Sequence, residues 1–351
     1  MKHFKILSSK LLPALIMLLF LNCNLIAQQD PKSLVDYVDP FIGVLDPLSA
    51  CVIGPQLPFG SINPSPQTQN GGDPGYSVDE PIRGFCQLSV SGTGWGKYGQ
   101  IFFSPQIGLA IGETDHDSPK EEERAKAYEY SVKLSRYNLQ TDLTPSVHSS
   151  IYRFTFPKSD QSNIVFDLSH HLAGDIKPEL GGKFWEGSLE ITSASATEIR
   201  GFGKYSGGFG GGTYNVYFVA RLSKAPLASG TWLNKVINPG QKTAKLIEVN
   251  DRVGAYFQYK TEANEEIYMK VAVSFKSVEQ ATYWLDTEIP DFDYNKVKET
   301  AMQIWDNELN KIVVEGATER DYRIFYTAFY HSSIMPRNRT NDSPNFAKGV
   351  P

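Results

Sequence analysis

The sequence predicts a mainly β protein, a large N-terminal sandwich followed by helices. Three observations carry this. Most β-like runs lie before about Phe275, separated by turn residues and without long helices between them. The clearest run, Ile267-Tyr268-Met269-Lys270-Val271-Ala272-Val273-Ser274-Phe275, puts Ile267, Met269, Val271, Val273 and Phe275 on one face. Immediately afterwards the periodicity changes from two to three and four residues.

Residues 1–27 read as an export signal. Lys2, Lys5 and Lys10 form a basic start, Leu11 to Leu21 an apolar stretch, and cleavage is expected after Ala27. Lipidation at Cys23 is the alternative, but Asn22 stands where a small residue is expected before it. No later segment approaches the roughly 20 apolar residues that span a bilayer.

Strands are then expected at Phe85–Val90, Gln100–Pro105, Val147–Phe156, Asn163–Leu168, Tyr214–Leu222 and Ala255–Thr261. The run Ser206 to Gly212, SGGFGGG, reads as a hairpin or loop; with no Gly-Lys-Ser/Thr and no following helix it is no phosphate site. Ser277 and Gln280 make a capping box for a short helix through Leu285. Asp293 caps a longer helix carrying Val297, Ala301, Ile304, Trp305, Leu309 and Ile312, interrupted by a strand-like Lys311–Val314 and Gly316. Thr318 opens a third helix with Tyr322, Phe325, Tyr326 and Phe329, ending before Pro336.

The stretch Arg83 to Gly99 holds Gly92, Gly94, Gly96 and Gly99 within eight residues, with Ser91, Thr93, Trp95 and Lys97 between them. Glycine at this density marks positive φ or close approach of a ligand or backbone. Gly94-x-Gly96-x-x-Gly99 fits a dinucleotide fingerprint formally, but it leads into a strand, so no helix N-terminus receives a pyrophosphate. No VAIK, HRD or DFG accompanies it as in a kinase. Two readings remain: a tight structural hairpin, or the rim of a ligand pocket. In the second, Trp95 offers an apolar face and one N–H to a sugar, while Ser91 and Thr93 donate to hydroxyls or cap the turn. Gly94 lets the backbone approach, Lys97 reads as a solvated charge, and Phe59 and Gly60 shape a neighbouring loop with Phe59 in a core role.

Other residues invite sharper readings that the spacing does not support. His170-His171 has no third ligand at metal spacing, so both read as structural, as does His331. Asp167 and Asp175 flank the pair without forming a motif. The formal net charge of −5, with Lys and Arg dispersed, gives no footprint for nucleic acid. Cys51 and Cys86, the thiols left after removal of the signal, either pair or stay as buried thiols.

Ordered motifs give a family resemblance. Tyr37–Gly43 (YVDPFIG), Leu57–Gly60 (LPFG) with Pro64-Ser65-Pro66, and the GF…SGTG…YG pattern open the series. Ser274–Ala281 (SFKSVEQA), EIPDFDY, the Trp305 helix, Val314–His331 (VEGATERDYRIFYTAFYH) and Met335-Pro336 continue it. In this order they resemble glycoside hydrolase family 92, exo-acting α-mannosidases. The resemblance implies an N-terminal β-sandwich, a helical linker and an (α/α)6 barrel. It also implies calcium-dependent, inverting hydrolysis of mannosides from the non-reducing end.

The divisions expected on that basis are 1–27 signal, 28–276 sandwich, 277–317 helical linker and 318–351 the start of a truncated (α/α)6 barrel. A full barrel needs about a dozen helices of ~10–14 residues, more than Thr318 to Pro351 supplies. The family's acid, base and calcium ligands lie mainly in that barrel, so the resemblance assigns no catalytic residue and no metal ligand to this chain. Calcium is implied for the full-length enzyme and none is expected on this chain alone. Asp342 is noted as a carboxylate that approaches the site from the barrel side. The implied partner is a mannose-containing glycan, met in a periplasmic or extracellular compartment. A non-catalytic carbohydrate-binding sandwich is the alternative. Where family members carry a GFSHTHLSG-like run, this chain has Gln87 and Ser89 at the histidine positions, and Ile53-Gly54-Pro55 stands where many have Pro-Gly-Ala. An apolar stripe of Phe325, Tyr326 and Phe329 is expected to be exposed on the third helix.

Overall fold

The computed structural model describes residues 32–44, 51–68, 75–89, 91, 98–172, 182–192, 194–207, 212–249 and 251–342. Contacts divide the chain into Met1–Ser33 and a compact unit from Leu34 to Pro351, to which every element below belongs. The expected signal falls outside the described residues.

The strands are β1 (Ser65–Thr68), β2 (Ile82–Cys86), β3 (Phe102–Ile107), β4 (Lys120–Lys126), β5 (Glu129–Leu134) and β6 (Leu139–Pro145). There follow β7 (Ser149–Phe156), β8 (Ser159–Asp167), β9 (Lys183–Ile191), β10 (Glu198–Ser206) and β11 (Thr213–Leu222). The last are β12 (Ala228–Leu233), β13 (Val236–Pro239), β14 (Thr243–Leu246), β15 (Val253–Thr261) and β16 (Glu265–Ser274). Among the described residues they form two sheets, a seven-stranded one ordered β1-β2-β3-β8-β15-β12-β13 and a nine-stranded one ordered β14-β9-β10-β11-β16-β7-β6-β5-β4.

All pairings are antiparallel among the described residues, so each strand presents one face inward by simple alternation. The core lies between the sheets. Phe166 of one stacks on Phe218 of the other at 5.2 Å, and Phe103 meets Tyr152 edge-on at 4.7 Å. Ile267, Met269, Val271 and Val273 are buried there on one face of β16, as their spacing predicts. The SGGFGGG run joins β10 to β11, whose register pairs Ser206 with Thr213, so it is a hairpin connection; its residues 208–211 lie outside the described ones.

Three helices follow: α1 (Val278–Glu288), α2 (Tyr294–Leu309) and α3 (Glu319–Ser333). Each begins at the expected cap. Ser277, Asp293 and Thr318 accept from the N–H groups of Gln280, Lys296 and Asp321. α1 covers part of the outer face of the nine-stranded sheet, burying Ala281 and Leu285 against Val219 and Ala272. α2 ends at Leu309, so Ile312 lies beyond it and is exposed. No helix among the described residues is long and apolar enough to cross a membrane.

The stripe expected to be exposed on α3 is not. Tyr326 is fully buried, and Phe325 and Phe329 pack beside it in a cluster with Trp305, Tyr330, Val35 and Val38. The reason is a short 3-10 turn, Leu34–Tyr37, which reaches the helices from the far end of the chain. Tyr37 stacks on Tyr326 at 5.9 Å, and Val35 and Asp39 donate their N–H groups to Asp306 Oδ1 and Thr327 Oγ1. Apolar residues left exposed on and beside the helices include Tyr283, Ile304, Ile312, Val313, Ile324 and Met335.

Candidate functional site

The residues flanking the glycine stretch and the segment after α3 meet where the sandwich joins the helices. Residues 92–97 lie outside the described ones, and with them Thr93, Gly94, Trp95 and Lys97. Their flanks are placed. Before the gap, the Ser91 hydroxyl oxygen accepts from the Val52 N–H at 3.1 Å, which is the turn-capping alternative for that residue. After it, Gly99 takes φ +100 and donates to Leu88 O at 2.8 Å, closing the loop's neck. A Cβ at Gly99 would sit 3.1 Å from both Leu172 N and Leu172 Cγ, so glycine is required twice over. Ile101 follows at φ 56, a costly conformation for a β-branched residue, and its side chain is buried.

Gln87 and Ser89, the two residues at the histidine positions of the resemblance, are both buried. Gln87 is fully buried, donating to Tyr152 OH at 2.7 Å and accepting from Ser150 Oγ. Ser89 is also buried; its hydroxyl lies 3.2 Å from Cys86 Sγ, and its carbonyl accepts from Arg337 Nη2. Cys86 is held as a thiol, pushed up to about 11 by burial. Cys51 and Cys86 are both free thiols, which removes the pairing alternative.

Sequence reasoning missed the arginines. The segment after α3 carries Arg337 and Arg339 back onto the sandwich. Phe59 straps it there, its N–H donating to Ser333 O at 2.7 Å and its carbonyl accepting from Asn338 N at 2.9 Å. Phe59 pays for both bonds with φ 54, and its ring is 37% exposed rather than in the core, because the strap turns the side chain outward. Gln56 adds a bond to Ile334 O at 2.8 Å, and Trp305 donates to Gln56 O at 2.8 Å.

Arg337 lies over the Tyr98 ring at 5.6 Å. Its Nε and Nη1 are closed to solvent and have no hydrogen-bond partner among the described residues. Burial pulls the guanidinium down to about 10, still charged at neutral pH. Arg339 stacks on Phe275 at 3.9 Å and donates to Ser61 Oγ at 2.8 Å. Tyr214 lies between, edge-on to Tyr98 at 6.2 Å and accepting from Gln100 Nε2 at 3.0 Å. The result is an aromatic box of Tyr98, Tyr214 and Phe275 with two guanidinium groups on it. Such a site offers fixed N–H donors to hydroxyl or carboxylate oxygens, and ring faces to apolar C–H surface.

Asp342 is present but occupied. It is fully buried, accepting from Ser274 Oγ and from the Phe275 N–H at 3.3 Å. Burial raises its carboxyl above the usual range, partly offset by the Ser274 bond. His331 is half-buried beside Tyr330, with burial holding it neutral and Nε2 unpartnered.

His170 and His171 lie elsewhere, at the end of β8. His170 stacks on Phe102 at 4.0 Å and His171 Nδ1 pairs with Ser169 O at 2.8 Å. Asp167 beside them is bound to Arg252 and to Ser169 N at 2.9 Å; Asp175 is outside the described residues. No three His, Cys, Asp or Glu side chains among the described residues converge to hold a metal ion. The described residues therefore do not fit calcium, which takes 6–8 oxygen ligands, and no step is derived through it.

Residues 37–274 match the glycosyl hydrolase family 92 N-terminal domain, and residues 280–348 match that family's catalytic domain. The chain belongs to glycosyl hydrolase family 92. A family 92 alpha-mannosidase from Bacteroides thetaiotaomicron superposes with TM-score 0.78 at 26% identity, over 88% of this chain and 42% of that one. A family 92 inverting mannosidase from the same species gives TM-score 0.75 at 24% identity, over 88% and 41%, a likeness of fold. An uncharacterised secreted glycosidase of Arthroderma benhamiae is 25% identical over 91% of this chain and 44% of its own length. The chain thus spans less than half the length of these relatives. Its two-sheet sandwich followed by helices corresponds to the family 92 N-terminal sandwich and the start of the helical domain.

Proposed function

We propose that this chain is the sandwich and first helices of an exported α-mannosidase acting on mannose-terminated glycans by inversion, with calcium. The junction is its contribution to sugar binding. The observation that carries the reading is Arg337, whose buried Nε and Nη1 have no acceptor among the described residues of a family 92 chain. A buried unpaired donor costs about 1–3 kcal/mol, and a sugar oxygen would remove that cost. A Bacteroides thetaiotaomicron relative is known in complex with mannoimidazole, which supports a mannose-type ligand. Secretion of the Arthroderma relative, and the basic and apolar stretches at Met1–Ala27, support export.

This chain alone is proposed to bind without hydrolysing. Inversion needs two carboxyl groups roughly 6.5–9.5 Å apart, one as acid and one activating water. At the described junction Asp342 follows the arginines in the same segment, and its oxygens are bound to Ser274 and Phe275. The test is to assay Gln28–Pro351 with calcium on α-1,2-mannobiose and an aryl α-mannoside. No turnover is expected, with activity appearing when barrel helices are joined to the C-terminus. Turnover abolished by mutating a carboxylate of this chain would move the catalytic machinery into it.

A further inference from the structure

The outer face of the nine-stranded sheet is only partly covered. α1 lies over β11 and β16, leaving β14, β9 and β10 open to solvent beyond its N-terminus. There a groove of about 490 Å³ is lined by Ser188, Glu190, Arg200, Phe202, Thr243 and Lys245, among others, with Glu279 of α1 at its edge.

Alternation along β10 puts Phe202, Lys204 and Ser206 on this face, while Tyr205 turns into the core. Phe202 stands opposite Ser188 on β9 and opposite Tyr217 on β11, and its ring meets Tyr217 at 5.8 Å. At the far end of the row Trp185 donates its indole N–H to Ser206 Oγ at 2.7 Å, which fixes the ring while leaving it 37% exposed. From Phe202 to Ser206 the row is about 13 Å long. It is long enough for a short oligosaccharide rather than a single ring.

The charges decide the ligand class. Arg200 pairs with Glu190 and Lys204 with Glu186 across the strands, each at 3.4 Å. The groove itself carries Arg200 and Lys245 against Glu190 and Glu279, two charges of each sign. A polyanion finds no net field here, and a wholly apolar partner would bury four charges. A neutral polyhydroxylated chain fits both features, stacking C–H surface on rings while its hydroxyls meet charged and hydroxylic side chains. We propose that the Trp185–Phe202–Tyr217 row and its groove form a second glycan-binding surface, separate from the junction and independent of hydrolysis.

The test is native electrophoresis of Gln28–Pro351 through gels with and without soluble α-mannan. The parent is expected to be retarded by the polysaccharide. Trp185→Ala and Phe202→Ala should each weaken binding by between about two- and tenfold. Ser188→Arg, which fills the solvent-open groove and leaves the aromatic rings in place, should abolish it; near-ultraviolet circular dichroism confirms that the variants fold. Ile324→Ser, an exposed change on α3, should leave retardation intact. Retardation that survives Ser188→Arg and the Trp185→Ala/Phe202→Ala double variant, or a parent that is never retarded, overturns the proposal. Loss in Arg337→Met with full retention in those variants would overturn it too, while leaving the junction reading standing.

Discussion

Arg337 donates through Nη2 to the backbone carbonyl of Ser89, joining residues 248 positions apart. That bond uses one corner of the guanidinium and leaves Nε and Nη1 without an acceptor among the described residues. Unpaired buried donors are destabilising, and an oxygen of a bound ligand would relieve that cost. Arg337→Met should therefore lose binding of α-1,2-mannobiose in calorimetry while changing unfolding free energy by only about 1 kcal/mol, the lost bond offsetting the relieved burial. A variant that fails to fold would mark Arg337 as scaffold.

Asp342 gives a prediction with a definite sign. Burial raises its carboxyl, so the folded chain holds that proton more tightly than the unfolded one. The stability this contributes is complete at pH values below the usual Asp range and is lost as pH rises through the raised value. Asp342→Asn should match the parent in acid and be the more stable of the two near neutrality. Thermal midpoints measured from pH 3 to 7, in steps of about one unit, would show the curves diverging upward; parallel curves would sink the idea.

The buried histidines act in the opposite direction. His116, bound to Arg83 O at 2.9 Å, is lowered by burial from 6.5 to about 4, and His170 from 6.5 to about 3. Between 6.5 and those values the unfolded chain binds more protons, so stability falls on acidification through this window. The slope is up to about 1.4 kcal/mol per pH unit for each histidine. His170→Phe, which keeps the stack on Phe102, should remove one histidine's share from the acid limb. The difference between variant and parent denaturation curves reads this directly.

Gly99 tests the neck of the loop. Alanine there meets a φ of +100 and two Leu172 atoms at 3.1 Å. Gly99→Ala is expected to cost about 1–3 kcal/mol in urea denaturation and to weaken mannoside binding with it. A neutral effect would mean that the loop's closure does not depend on this geometry.

Much of the architecture was legible because it rests on local rules. The alternation of β16 and the caps Ser277, Asp293 and Thr318 are written within a few residues of where they act. The site was less so. Its arginines have ordinary sequence neighbours, and long-range bonds such as the Phe59 strap bring them onto the sandwich. Gln87 reads like a rim residue beside the glycines, yet it faces inward to Tyr152, which lies 65 positions away. The burial of Tyr326 depends on Tyr37, and no periodicity within α3 reports a partner from the opposite end of the chain. Phe59 shows the same limit, since a backbone bond to Ser333, not its apolarity, sets where the ring goes.

The turn at Leu34–Tyr37 has a consequence in time. Val35 and Asp39 leave the ribosome among the first folded residues, but their partners Asp306 and Thr327 lie 271 and 288 positions later. At about 5–20 residues per second, those partners arrive roughly 15–60 s afterwards. Through that interval the sandwich can assemble while Val35, Val38 and Tyr37 lack their helix partners. The earliest segment of the unit to be made is among the last to find its place.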